Sequence, residues 1–86
     1  MINQQSEELR AKGNEQFRLN EYKTAIRYYS EAIDIDSGND TLYSNRAKCH
    51  QLLNNLPESI EDSLEAINLN PNNIKAYLIY GVSLCE

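Results

Sequence analysis

The sequence is poor in the residues from which chemical sites are built. Its 86 residues hold two cysteines, Cys49 and Cys85, and one histidine, His50. Two cysteines are too few for a disulfide scaffold, and neither they nor His50 have a partner at metal-ligand spacing. They read as packing residues in a reducing compartment. The three glycines form no phosphate-cradling loop, and no nucleophile motif is present. Basic residues are scarce as well: 8 Lys and Arg stand against 13 Asp and Glu, a formal net charge of −5. Phosphate binding needs a basic field, so a nonspecific nucleic-acid binder is excluded. The most apolar stretch, residues 76–85, is roughly half a membrane span. The opening Met1-Ile2-Asn3-Gln4-Gln5 lacks the basic-then-apolar order of a signal peptide. No segment alternates at period two for long enough to make a strand. These absences leave a cytoplasmic, all-α protein with no metal and no cofactor as the expectation.

What is present is a repeat. Leu9, Tyr43 and Tyr77 are spaced by 34 residues, and so are Gly13, Ala47 and Gly81, and Ala32 and Ala66. The loop Asp36-Ser37-Gly38-Asn39 is echoed by Asn70-Pro71-Asn72-Asn73. A fixed period of this length means one supersecondary unit copied in tandem.

Five amphipathic segments fill the period. The clearest carries Tyr22, Ala25, Ile26, Tyr29, Ala32 and Ile33 at helical spacings, leaving Arg27, Glu31 and Asp34 to solvent. Leu56, Ile60, Ser63, Leu64 and Ile67 repeat that stripe. The first helix is expected over about 6–19, the third over about 40–53, and the fifth from about 73 to the chain end. Gly38 is expected to stop the second helix in a left-handed conformation. Pro57 suits the first turn of the fourth helix, and Asn70-Pro71 ends it. Asp40 and Asn73 are the expected N-caps. Small residues, Gly13, Ala25, Ala32, Ala47, Ser59, Ala66 and Gly81, mark close helix approaches, and Tyr29, Tyr43 and Tyr77 fill the spaces between.

Together these positions resemble the tetratricopeptide repeat. A unit begun at Ser6 places Leu9, Gly13, Ala25, Tyr29, Ala32 and Ser37 at the family's signature positions. A second from Asp40 supplies Tyr43, Ala47, Ser59, Ser63, Ala66 and Pro71, and a third from Ile74 supplies Tyr77 and Gly81. Leu9, Ser37 and Ser59 depart from the preferred Trp, Pro and Ala. The resemblance implies one domain over residues 1–86: repeat one at 6–39, repeat two at 40–73, and a partial repeat three at 74–86. The fold implied is a helical solenoid of two full helix pairs plus the first helix of a third, about five antiparallel helices. Helices one, three and five would line its concave face.

Gly13-Asn14, Tyr43-Ser44-Asn45-Arg46-Ala47 and Lys75-Ala76-Tyr77 look like the two-carboxylate-clamp repeats of chaperone adaptors. That resemblance implies that Arg10, Asn14, Asn45 and Lys75 grip a C-terminal Asp of peptides ending Glu-Glu-Val-Asp. Such tails close the seventy- and ninety-kilodalton heat-shock chaperones. Cations with carboxamide donors suit a carboxylate, since the bonds are charge-assisted and forked for Arg. Phe17, Leu78 and Ile79 would hold the Val, and Lys48 would meet acidic residues upstream. Leu78-Ile79, with Asn45-Arg46-Ala47-Lys48-Cys49, is most similar to the ubiquitin-ligase adaptors of the CHIP type, which add a U-box. No catalytic group is expected in these residues themselves. Glu58, Glu61, Asp62 and Glu65 read as a solvated face rather than an acid–base site. The alternative is a repeat scaffold that binds internal or helical segments without a clamp. The uncovered fifth helix, with Tyr77, Tyr80 and Leu84, predicts self-association.

Overall fold

The computed structural model describes residues 2–85, with side chains from residue 4. Met1 and Glu86, the ends of the expected 1–86 domain, lie outside the described residues. Five helices follow in order: α1 (Ile2–Arg18), α2 (Tyr22–Ile35), α3 (Asp40–Leu52), α4 (Leu56–Leu69) and α5 (Ile74–Cys85). No strand occurs among the described residues. Each helix packs on the next, and α3 also touches α5 directly. The first helix therefore starts earlier than its apolar pattern suggested. Gln4 and Gln5 on its opening turn are exposed.

The two kinds of turn alternate. After α1, the N–H of Glu21 reaches the carbonyl of Gln16 at 2.8 Å and that of Asn20 reaches Phe17 at 2.9 Å. After α3, Asn55 reaches His50 at 2.7 Å and Asn54 reaches Gln51 at 3.0 Å. Both closures put an asparagine in the left-handed region, Asn20 at φ 63° and Asn54 at φ 64°. This is the paired-bond ending that satisfies a helix's last carbonyls. No glycine has a positive φ, so Gly38 does not stop α2 as expected. Instead Asp36 donates its N–H to Ala32 O at 2.8 Å, and Asn70, with an extended backbone, does the same to Ala66 O at 2.9 Å.

The cap of α3 is Asn39, whose side chain accepts from Thr41 N at 3.0 Å; Asp40 is already helical. Asp40 has a different task. Its carboxylate accepts from Asn73 Nδ2 at 2.7 Å and Asn70 Nδ2 at 3.2 Å. Asn73 in turn accepts from Ala76 N at 3.0 Å. The start of α5 is thus latched to the start of α3.

The core runs through Ala25, Tyr29, Ala32, Ile33, Leu42 and Cys49. Burial pushes the Cys49 thiol up to about 11, with nearby Lys75 pulling the other way, so it stays a neutral packing group. Cys85, by contrast, is exposed. The α4 face differs from expectation. Ser59, Asp62, Ser63 and Ala66 are buried, whereas Leu64 is exposed. The small, polar side of α4 faces its neighbours because α5 and α3 approach it closely there. Ser59 Oγ and Ser83 Oγ lie 2.8 Å apart across that contact. On α5, Tyr77, Leu78, Val82 and Leu84 are exposed and Tyr80 is half-buried.

Gly13 and Gly81, equivalent by the repeat, have opposite surroundings. A Cβ on Gly13 would stand 2.6 Å from the Tyr29 ring, but one on Gly81 meets nothing within 4 Å. Tyr77 and Gly81 therefore do not fill a close approach as expected. Gly13→Ala gains about 1 kcal/mol of helix propensity but meets an overpacking cost of about 1–3 kcal/mol, since the buried Tyr29 ring cannot move freely. Gly81→Ala has the propensity gain alone. Urea denaturation is expected to show a net loss of about 1 kcal/mol for the first and a gain of about 0.5–1 kcal/mol for the second.

Candidate peptide-binding groove

The position of the groove follows from Gly13. With no Cβ in the way, the Tyr29 ring passes α1, and its hydroxyl donates to Asn14 Oδ1 at 2.5 Å. Burial pushes the Tyr29 phenol up to about 12, reinforced by Cys49 and partly offset by Arg10, so the donor stays protonated at any physiological pH. Opposite it, the latch at Asp40 sets the first turn of α5 over α3. Lys75 Nζ then donates to Asn45 Oδ1 at 2.7 Å. Between these two pairs lies a cavity of about 160 Å³, lined by Asn14, Phe17, Arg18, Tyr29, Asn45 and Lys75.

Four of the residues singled out from sequence meet at this cavity: Asn14, Asn45, Lys75 and Phe17. Phe17 packs edge-on against Tyr22 at 5.4 Å, so it both braces the α1–α2 contact and forms the apolar wall. Arg10 does not line the cavity. It pairs with Glu7 one turn earlier, Nη2 to Oε1 at 2.5 Å, though it stands close enough to bear on the Tyr29 hydroxyl. Lys48 does not line it either; its Nζ donates to Gln51 at 3.0 Å. Leu78 and Ile79 are not there at all. Ile79 lies on the Ala76–Ser83 face that α5 buries, and Leu78 points to solvent. The expected apolar wall from α5 is thus replaced by Phe17 alone. Tyr29 and Arg18 are cavity residues that the sequence reading had placed elsewhere or left out. Arg18 falls one turn after Asn14 on the same face, and its partner is Glu15.

The lining carries two cations and no carboxylate. Lys75 gives up part of its hydration on leaning over Asn45, which lowers its pKa, and Lys48 lowers it further. An incoming anion would relieve both effects. Two amide oxygens are already occupied, by Tyr29 and Lys75, so the amide NH₂ groups remain as donors. The arrangement is a donor-only surface beside an aromatic wall, which fits a carboxylate attached to an apolar residue.

A second polar cluster lies away from the cavity. Arg46 holds Asp62 bidentately, Nε to Oδ2 at 2.7 Å and Nη2 to Oδ1 at 2.9 Å, and donates to Ser30 Oγ at 2.9 Å. Asp62 is therefore not part of a solvated acidic face; Glu58, Glu61 and Glu65 are. The bond to Asp62 raises the Arg46 pKa and keeps it charged. His50 sits beside this pair, 3.9 Å from Asp62, and burial lowers its pKa below the ordinary 6.5 despite the carboxylate. The unfolded chain then binds a proton that the folded chain resists, so stability falls as pH drops below about 6.5. A His50→Gln variant is expected to flatten that part of a stability-versus-pH curve, measured by urea denaturation between neutral and mildly acidic pH. Among the described residues, no three His, Cys, Asp or Glu side chains converge as a metal site requires. Among the described residues, no helix is long and apolar enough to cross a membrane.

A family model described as TPR repeat matches residues 13–54, and one described as tetratricopeptide repeat matches residues 40–73. The heat shock protein sti1 homolog of Schizosaccharomyces pombe is 38% identical over 79 residues, which is 92% of this chain and 13% of that protein. The chain thus spans a small part of the curated relatives it matches. The Arabidopsis OM64 TPR domain superposes with a TM-score of 0.94 at 30% identity, covering 96% of this chain and 69% of that one. The TPR2B domain of yeast Sti1, solved as a complex with pHsp70, gives 0.93 at 32% identity over 95% of this chain and 66% of that one.

Proposed function

The chain belongs to the tetratricopeptide-repeat family, and we propose that it is a co-chaperone adaptor module that binds C-terminal Glu-Glu-Val-Asp-type tails of heat-shock chaperones. One observation carries the reading. Asn14, Asn45 and Lys75, from three different helices, line one cavity that has no acidic lining. A terminal Asp brings two carboxylates to such a surface, and the preceding Val would rest on Phe17. Arg10, one turn before Asn14, would exchange Glu7 for the peptide. Lys48 and Arg18 would meet the glutamates upstream. The Sti1 domain solved with an Hsp70 peptide supports the assignment by its likeness. The place of action would be the cytoplasm, and the module itself would do no catalysis.

Charge-assisted bonds of about 1.5–3 kcal/mol each, less the cost of ordering a flexible tail, give an affinity near micromolar. Calorimetric titration with a free-acid peptide and its C-terminal amide tests this. Binding of the acid at about micromolar Kd, and loss of most of it on amidation, is expected. An amide that binds equally well would favour the scaffold reading, in which internal segments are recognised. A CHIP-like setting, with a U-box beside this domain, is a finer reading motivated by Asn45-Arg46-Ala47-Lys48-Cys49. A ubiquitination assay of the full protein that shows no transfer would end it.

A further inference from the structure

The cavity distinguishes itself from a generic polar cleft by the way its asparagines are held. An Asn side chain is ambidextrous: turned one way it offers an acceptor, turned the other two donors. Asn14 is half-buried, and nothing in α1 itself fixes its amide. Its Oδ1 is claimed at 2.5 Å by the hydroxyl of Tyr29, a residue of α2 that is 1% exposed and reaches Asn14 only because Gly13 has no side chain. Asn45 is held in the same sense by Lys75 at 2.7 Å.

We propose that Tyr29 is a positioning residue for peptide recognition: turning the Asn14 amide would strand the hydroxyl proton of buried Tyr29, so Asn14 is held with its oxygen inward and its NH₂ outward, and the groove selects a carboxylate over a carboxamide. The proposal rests on the clamp reading and deepens it. With Asn14 pinned, a C-terminal amide would set its own NH₂ against the NH₂ of Asn14 and the ammonium of Lys75, a donor–donor mismatch. With Asn14 free to turn, it would offer Oδ1 to that amide, and the discrimination would shrink. Specificity here would come from the unfavourable contact with the wrong ligand as much as from the favourable one. The ring of Tyr29 remains a packing element, so its two ends have separable roles.

Tyr29→Phe keeps the ring against Gly13 and removes the hydroxyl. The experiment titrates wild type, Tyr29→Phe, Asn14→Ala and the double variant with a Glu-Glu-Val-Asp peptide as free acid and as amide. Tyr29→Phe is expected to weaken the acid about 5- to 10-fold and to leave the amide unchanged or tighter, so the ratio of the two affinities falls, on the scale of one ordinary net hydrogen bond. In the Asn14→Ala background the same change is expected to have no further effect on the ratio. An unchanged ratio overturns the proposal. So does equal weakening of both peptides, which is what a merely structural role would give. A wild type with no preference for the acid overturns the clamp reading itself. Should Tyr29→Phe not fold, the wild type still decides: the Tyr29 hydroxyl proton is expected in NMR spectra as a slowly exchanging resonance with contacts to the Asn14 side chain. Its absence overturns the proposal.

Discussion

Lys75→Ala is expected to weaken binding of a free-acid Glu-Glu-Val-Asp peptide by about 10- to 100-fold while changing the stability of the fold by less than about 1 kcal/mol. The binding effect follows from the loss of one charge-assisted bond, about 1.5–3 kcal/mol. The small stability effect follows from two opposing terms. Lys75 is an exposed residue whose partly desolvated charge near Lys48 is screened by solvent, so its removal relieves only a small cost. Asn45, 8% exposed, loses the donor on its Oδ1, which restores a cost of similar size. A ligand-free protein therefore has little reason to keep this lysine. Calorimetric titration across a range of salt concentrations should also show a shallower dependence for the variant. Asn45→Ala combined with Lys75→Ala should lose less than the sum of the singles, because the two share a hydrogen bond. A variant that binds as tightly as wild type would remove Lys75 from the site.

What the sequence made legible and what it hid divide along a physical line. Periodicity reports which residues recur; of these Gly13, Ala32, Ala47 and Ala66 are buried as a stacked array requires, whereas Leu9 and Tyr43 are half-buried and Tyr77 and Gly81 are exposed at the end of the array. The left-handed backbone at Asn20 and Asn54 was hidden, since Gly38 was the stronger local signal and proved to have an ordinary φ. Asp62 was hidden among Glu58, Glu61 and Glu65 because its partner Arg46 lies 16 residues away, on another helix. A cue was present: Ser59, Asp62, Ser63 and Ala66 form a small-residue stripe at helical spacing, and an aspartate on it demands a buried cation. The groove was half legible. Asn14, Asn45 and Lys75 could be placed on odd-numbered helices, but Leu78 and Ile79 were misplaced by assigning faces to α5 without knowing how it sits on α4. The hydroxyl of Tyr29 was invisible because a tyrosine at that position is fully accounted for by its ring.

The largest stability effects are expected at Arg46 and Asp62. Their bidentate pair ties α3 to α4, and the bond to Ser30 Oγ adds α2. The Asp62 side chain is 8% exposed and that of Arg46 22%. Breaking a buried pair costs about 3–5 kcal/mol because one charge is stranded, and the partial exposure of Arg46 reduces this on one side only. Arg46→Ala strands the more buried partner and is expected to cost about 3–4 kcal/mol. Asp62→Ala leaves an arginine whose long stem can carry its head toward solvent, so about 2–3 kcal/mol is expected. Against the 5–15 kcal/mol typical of small domains, with an 86-residue chain near the lower end, either change approaches unfolding. Replacing both partners by apolar residues, Arg46→Met with Asp62→Leu, is expected to recover most of the loss, since no charge is left buried. The salt bridge then appears as a device of register, fixing which turn of α3 faces which turn of α4, rather than as a source of net stability. Urea denaturation of the four proteins reads this directly. Single variants that lose less than about 1 kcal/mol would show that the pair behaves like a surface ion pair, and a double variant as unstable as Arg46→Ala would show that the geometry of the pair, not its charge, holds the helices in place.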